Sequence, residues 1–117
     1  VNVETGNFHY FDTAQERLDV RHIMASGALP PGLPPVEIDG VWWWDGGLVS
    51  NTPLDHVLEA EPEADLAIFQ VDLFPARGAR PQNLADVEER AADIRFSSRT
   101  RFTTKAQERL NAPREAW

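Results

Sequence analysis

Residues 36–53 read VEIDGVWWWDGGLVSNTP, and the remainder of the chain is arranged around them. Val36, Glu37 and Ile38 run into Asp39-Gly40, a pair that accepts the positive φ angles of a two-residue hairpin turn, and Val41-Trp42-Trp43-Trp44 leads back out. The second strand stops at Asp45-Gly46-Gly47, and Leu48-Val49-Ser50-Asn51 then reaches Thr52-Pro53, a cap and first-turn proline for a new helix. A carboxylate therefore stands between a bulky aromatic strand and two residues without side chains. Read locally, Asp45-Gly46 is one more turn, because Asp-Gly is among the commonest turn pairs. Read for function, the two glycines let a reacting group approach a carboxylate held on a stiff strand.

Ala25-Ser26-Gly27-Ala28-Leu29-Pro30, the proline-rich loop after it, the hairpin, and Asp45-Gly46-Gly47-Leu48-Val49-Ser50-Asn51-Thr52-Pro53 together resemble the second half of a patatin-like phospholipase domain. The resemblance extends from Val1 to Pro75 or so. It implies the C-terminal part of a three-layer α/β fold, with β-hairpins, a central strand and a long C-terminal helix. It also implies an acyl hydrolase working by a Ser-Asp dyad, in which Asp45 is the dyad carboxylate and Gly46 and Gly47 complete its motif. No cofactor and no metal ion is implied, and the substrate is a lipid or another acyl ester. Residues 71–78 and 93–100 resemble the tail that follows this domain in one bacterial branch of the family. The expected division is then a patatin-like part over 1–76 and a charged, mostly helical extension over 77–117.

The family's nucleophile sits in a Gly-x-Ser-x-Gly elbow, and none of Ser26, Ser50, Ser97 and Ser98 lies in that pattern. The glycine-rich segment that holds the oxyanion in the family is absent too. Both precede the Asp in the family, so the expectation is a piece of a longer enzyme that is inactive by itself.

Composition narrows the alternatives. A chain of 117 residues is the length of one domain. It has no Cys, which excludes disulfides and thiolate metal sites. No apolar run approaches the ~20 residues of a membrane span, and the first residues lack the basic and apolar regions of a signal peptide. The expected location is cytoplasmic, with membrane association allowed. Net charge is −8. Residues 1–76 carry 13 acidic side chains against Arg17 and Arg21, whereas residues 77–117 carry 9 basic against 6 acidic. Nucleic-acid binding does not fit so acidic a chain, since phosphate contacts need a basic surface.

In chain order, Val1-Asn2-Val3, a turn at Thr5-Gly6-Asn7, and Phe8-His9-Tyr10-Phe11 alternate as a hairpin. Asp12 or Thr13 caps a helix running to about Ser26, where Gly27 ends it. Pro30-Pro31-Gly32-Leu33-Pro34-Pro35 forces a stiff connection. Alternation puts Trp42 and Trp44 on one face of the second strand and Val41, Trp43 and Asp45 on the other, so Trp43 either packs or walls a pocket for the carboxylate. A helix from Leu54 to about Glu61 buries Leu54, Val57 and Leu58 and is stopped by Pro62. His56 and Glu59 imitate part of a metal site without a third ligand. The dyad chemistry gives His9, His22 and His56 no catalytic part. Residues 65–74, apolar on both faces before turning polar at Gln70 and Asp72, suit a central strand.

From Asn83 onward, Leu84, Val87, Ala91, Ile94, Phe102, Ala106 and Leu110 mark a narrow apolar stripe on a charged helix, with a break near Ser97-Ser98. Such a stripe could dock on the parent protein or on a second subunit, giving a homo-oligomer, or could lie on an anionic membrane. The alternative to the hydrolase is thus a non-enzymatic interaction module that uses this helix.

Overall fold

The computed structural model describes residues 1–60 and 65–112. It divides into two compact units, Val1–Val49 and Ser50–Trp117.

In the first unit, β1 (Val36–Ile38) and β2 (Val41–Trp43) pair antiparallel, with Val36 opposite Trp43 and Ile38 opposite Val41. Asp39 at φ 51° and Gly40 at φ 84° make the turn, both in the left-handed region that the Asp-Gly pair was expected to supply. The first three residues lie along the free edge of β2. Asn2 bridges Trp43, the Trp44 N–H donates to Val1 O, and the Val3 N–H donates to Trp42 O at 2.9 Å. This replaces the expected N-terminal hairpin: the edge of β2 offers Val1, Asn2 and Val3 a ladder, and residues 8–11 form no strand. Phe11 instead stands edge-on to Trp43, with ring centroids 5.1 Å apart, and to His22 at 4.7 Å.

The helix expected from residue 12 or 13 also starts later. The Asp12 carboxylate accepts the Ala14 N–H at 2.8 Å and its carbonyl takes two further N–H groups, so one turn closes and is not continued. The helix α1 spans Val20–Ser26 with Asp19 as its cap, whose Oδ1 accepts the Arg21 N–H at 2.8 Å. His22 completes a reciprocal cap by accepting the Asp19 N–H at 3.0 Å. Gly27 follows the helix as expected, although its φ of −105° is ordinary. The inward face of α1 is His22 and Ala25, which with Ala28 and Ile38 are the buried residues of this unit.

In the second unit, α2 covers Leu54–Glu59 and α3 covers Leu84–Asn111. Thr52 does not cap α2. Its hydroxyl is hydrogen-bonded to the Thr100 hydroxyl on α3, and Pro53 opens the helix with no side-chain cap. Val57 and Leu58, expected to be buried, are about two-fifths exposed. The expected contributions of Glu61 and Pro62 lie outside the described residues. Residues 65–74 carry no strand, which corrects the expected central strand. A strand exists only against a hydrogen-bonding neighbour, and among the described residues none flanks this segment. Leu66, Phe69, Val71 and Leu73 are left exposed. Among the described residues the sheet is accordingly two-stranded with one hairpin, in a mixed α/β arrangement whose last described element is a long helix.

The α3 helix is continuous through Ser97-Ser98. Asn83 caps it by accepting the Asp86 N–H at 2.9 Å, and the Ser97 and Ser98 hydroxyls donate back to Ile94 O without breaking it. Its buried residues are Ser97 and Thr100, not the apolar stripe. Phe74 stacks near Phe96, and the Arg90 guanidinium donates to Pro75 O and Ala76 O, which ties residues 74–78 to the helix. A Cβ at Gly78 would come within 2.9 Å of Arg90 Nη1, so a larger residue there would displace the guanidinium.

Candidate active site around Asp45

Asp45 stands two residues beyond the end of β2, after Trp44, whose N–H donates to Val1 O. The Asp45 N–H donates to Ala28 O at 2.9 Å, which fastens the strand end to the loop after α1. Gly46–Leu48 then forms a single 3₁₀ turn, with Asp45 as its cap. Asp45 Oδ1 accepts the Gly47 N–H at 2.8 Å in a partly buried setting. Among the described residues Oδ2 takes no hydrogen bond and the carboxylate joins no ion pair within 4.0 Å. One oxygen holds the rotamer while the other is open to a hydroxyl donor. Beside it, a Cβ built on Gly46 would meet nothing within 4 Å. Gly46 also has ordinary backbone angles, and its lack of a side chain is not demanded by the turn itself.

One further group belongs to this neighbourhood. Trp44, the residue before Asp45, has a buried indole N–H without a hydrogen-bond partner, an uncommon condition for a buried donor. No serine hydroxyl is hydrogen-bonded to Asp45 among the described residues. Ser97 is fully buried on α3 and accepts from Arg101 Nη1 at 2.7 Å, while Ser98 donates to Ile94 O.

Trp43 does line a hollow, of about 500 Å³, but its walls are the rings of His9, Phe11 and His22 and the charged Glu16, Arg17 and Asp39. Asp45 is not among them, and Trp43 packs here against Phe11 and His9. The sequence reading missed one pair here. His9 Nε2 lies 2.9 Å from Glu16 Oε1, brought together by the tight turn that Asp12 closes. The signal was Asp12-Thr13 directly after an aromatic run, which serves a local turn as readily as a helix cap.

Among the described residues no group of three or more His, Asp or Glu is placed to hold a metal ion, and no helix is long and apolar enough to cross a membrane. His56 and Glu59 both lie exposed on α2.

The family described as patatin-like phospholipase matches residues 1–58, which contain the hairpin, Asp45 and both glycines. This part of the chain is patatin-like. No curated protein and no solved structure matches the chain. The patatin-like segment thus ends within α2, and the long charged helix lies beyond it.

Proposed function

We propose that this chain supplies the acidic half of a Ser-Asp dyad in a patatin-like acyl hydrolase acting on lipid or other acyl esters. The observation that carries the reading is the arrangement at Asp45. Inside the patatin-like segment, a carboxylate is fixed through Oδ1 by a backbone N–H, and its Oδ2 takes no hydrogen bond among the described residues, next to a glycine whose Cβ position is open.

In the complete enzyme, Asp45 Oδ2 accepts the proton of a serine hydroxyl from chain outside these residues, and the serine Oγ attacks the ester carbonyl carbon. Backbone N–H groups of that outside segment stabilise the tetrahedral oxyanion. Collapse breaks the ester C–O bond, and the proton held on Asp45 passes to the departing alkoxide. Water then attacks the acyl carbon while Asp45 accepts its proton, and collapse breaks the acyl–Oγ bond as Asp45 returns that proton to the serine Oγ and the carboxylic acid leaves. The dyad has no imidazole, so Asp45 must reach the serine directly at ordinary hydrogen-bond distance. The 117 residues alone hold neither an elbow serine nor its oxyanion donors, and turn over no ester above background.

Labelling by a fluorophosphonate probe tests this. The full-length protein should be modified at one serine lying in a Gly-x-Ser-x-Gly segment, and Asp45→Asn should slow that modification sharply while the circular dichroism spectrum stays unchanged. Equal labelling rates in the two proteins would remove Asp45 from the dyad.

A further inference from the structure

The α3 helix buries the side that sequence patterning would expose. Ser97 and Thr100 are its buried residues, Arg101 donates to Ser97, and Thr104 accepts from Gln70 Nε2 at 3.1 Å. At about 100° per residue, Ser97, Thr100 and Thr104 fall within a sector of about 60°. Phe102 and Leu110, on the far side, are 80% and 77% exposed. They do not stand alone. Arg95, Arg99, Lys105 and Arg109 are all exposed, and with Phe102 and Leu110 they lie within about 75° of one direction on the helical wheel.

Charge along the helix is divided as sharply as its faces. Residues 84–93 hold four acidic side chains against Arg90, whereas residues 94–111 hold five basic against Glu108. Glu108 lies about 120° around the helix from Phe102, outside the basic face. A helical face that mixes cations with a few large apolar side chains and excludes carboxylates suits a surface with dense negative charge over a soft apolar layer. A protein groove would instead require a continuous apolar row, and here cations interrupt it.

We infer that the exposed face of α3 over residues 94–111 docks on an anionic lipid bilayer, with Phe102 and Leu110 entering the interfacial layer and Arg95, Arg99, Lys105 and Arg109 on the headgroups. Nothing in this inference needs Asp45 or an elbow serine, and its test reads binding, so it stands or falls separately from the hydrolase reading.

The experiment is co-sedimentation of the 117-residue chain with vesicles of equal phosphatidylglycerol and phosphatidylcholine, and with phosphatidylcholine vesicles alone. The chain should pellet with the first and stay in solution with the second, and salt near 1 M, where the screening length is about 3 Å, should release it. The double variant Arg99→Gln with Lys105→Gln should lower partitioning by roughly 25-fold, about fivefold for each cation. Phe102→Ala should also weaken binding, and Glu89→Gln on the acidic half should not. Each variant's helicity is checked by circular dichroism, so that loss of binding is separated from loss of the helix. Equal binding to neutral vesicles, no binding to anionic ones, or indifference to the double substitution overturns the inference. So does a dimer in solution that the same substitutions dissolve while no vesicle-bound fraction forms, which would make this face a contact between copies.

Discussion

Asp45 Oδ1 accepts the Gly47 N–H at 2.8 Å, so the carboxylate is oriented by the backbone two residues ahead of it and needs no other side chain to hold it. A hydrogen bond of this local kind survives changes elsewhere in the chain. In the proposed dyad this separates the two oxygens by task, Oδ1 holding the rotamer and Oδ2 accepting the serine proton. The predictions on activity follow from that separation.

Gly46→Ala should leave the fold intact, because the added methyl meets nothing within 4 Å and the backbone angles are ordinary. The methyl would occupy the space through which a serine and its ester approach Asp45. Esterase activity of the full-length protein should fall by about 10²-fold, the order of loss expected from misplacing a reacting group by an ångström. Unchanged activity would mean that the open side of Gly46 is not the approach.

Gly40→Ala places a side chain at φ 84°, where only glycine is unstrained. The hairpin should lose about 1–2 kcal/mol, read as a lower midpoint in urea. Asp39→Gly at the neighbouring positive-φ position should be neutral or better. A Gly40→Ala protein as stable as the parent would show that the turn does not hold the conformation described.

Asp19 gives a pH-dependent prediction. The Arg21 side chain, first by its hydrogen bonds and then with help from the Arg21 N–H, holds the Asp19 carboxyl well below the usual carboxylate range. A depressed carboxyl stabilises the folded state above its unfolded value of about 3.9 and loses that contribution as pH falls further. Asp19→Ala should therefore unfold at lower temperature than the parent at neutral pH, and the gap should narrow as the pH drops below about 4. A gap independent of pH would place the stabilisation elsewhere.

Thr100→Val removes one of two hydroxyls that satisfy each other and leaves Thr52 without its partner. The cost should be about 1–3 kcal/mol. The paired change Thr52→Val with Thr100→Val should recover part of it, because no hydroxyl is then left unmatched. Additive losses in the double variant would argue that the two side chains are not coupled.

The parts of this molecule that could be read from its sequence are those decided by a few adjacent residues. Asp39-Gly40 dictates its turn because few other pairs accept two positive φ angles, and the charged, striped run from Asn83 onward reads as the helix that α3 is. Asp45 at the end of the aromatic strand was legible for the same reason. What could not be read depends on competition or on neighbours. Asp12 and Asp19 are both competent caps, and only the geometry shows that Asp12 closes a single turn while Asp19, clamped by Arg21, starts the helix. The inward face of α3 went against patterning because Ser97 and Thr100 are small and find hydroxyl and guanidinium partners, whereas the apolar stripe has no facing surface among the described residues. Residues 65–74 have the composition of a strand, but pairing is a property of two segments and not of one.

The same segment has a practical consequence. Phe69 is 91% exposed, and Val71 and Leu73 are each more than two-thirds exposed, within a run of high strand propensity. Such a run pairs with other chains when its edge is free. Phe69→Lys should raise the concentration at which the chain stays monodisperse in light scattering, and an unchanged aggregation threshold would show that association begins elsewhere.

The most direct test of the central claim is the turnover of a short acyl ester by the full-length protein and by its Asp45→Asn variant, with folding checked by thermal unfolding. The substitution keeps an oxygen in reach of the Gly47 N–H but cannot accept a proton as a carboxylate does. Turnover should fall by about 10²–10⁴-fold with the melting temperature unchanged. Asp45→Asn turning over the ester as fast as the parent would contradict the account and leave Asp45-Gly46-Gly47 as a turn.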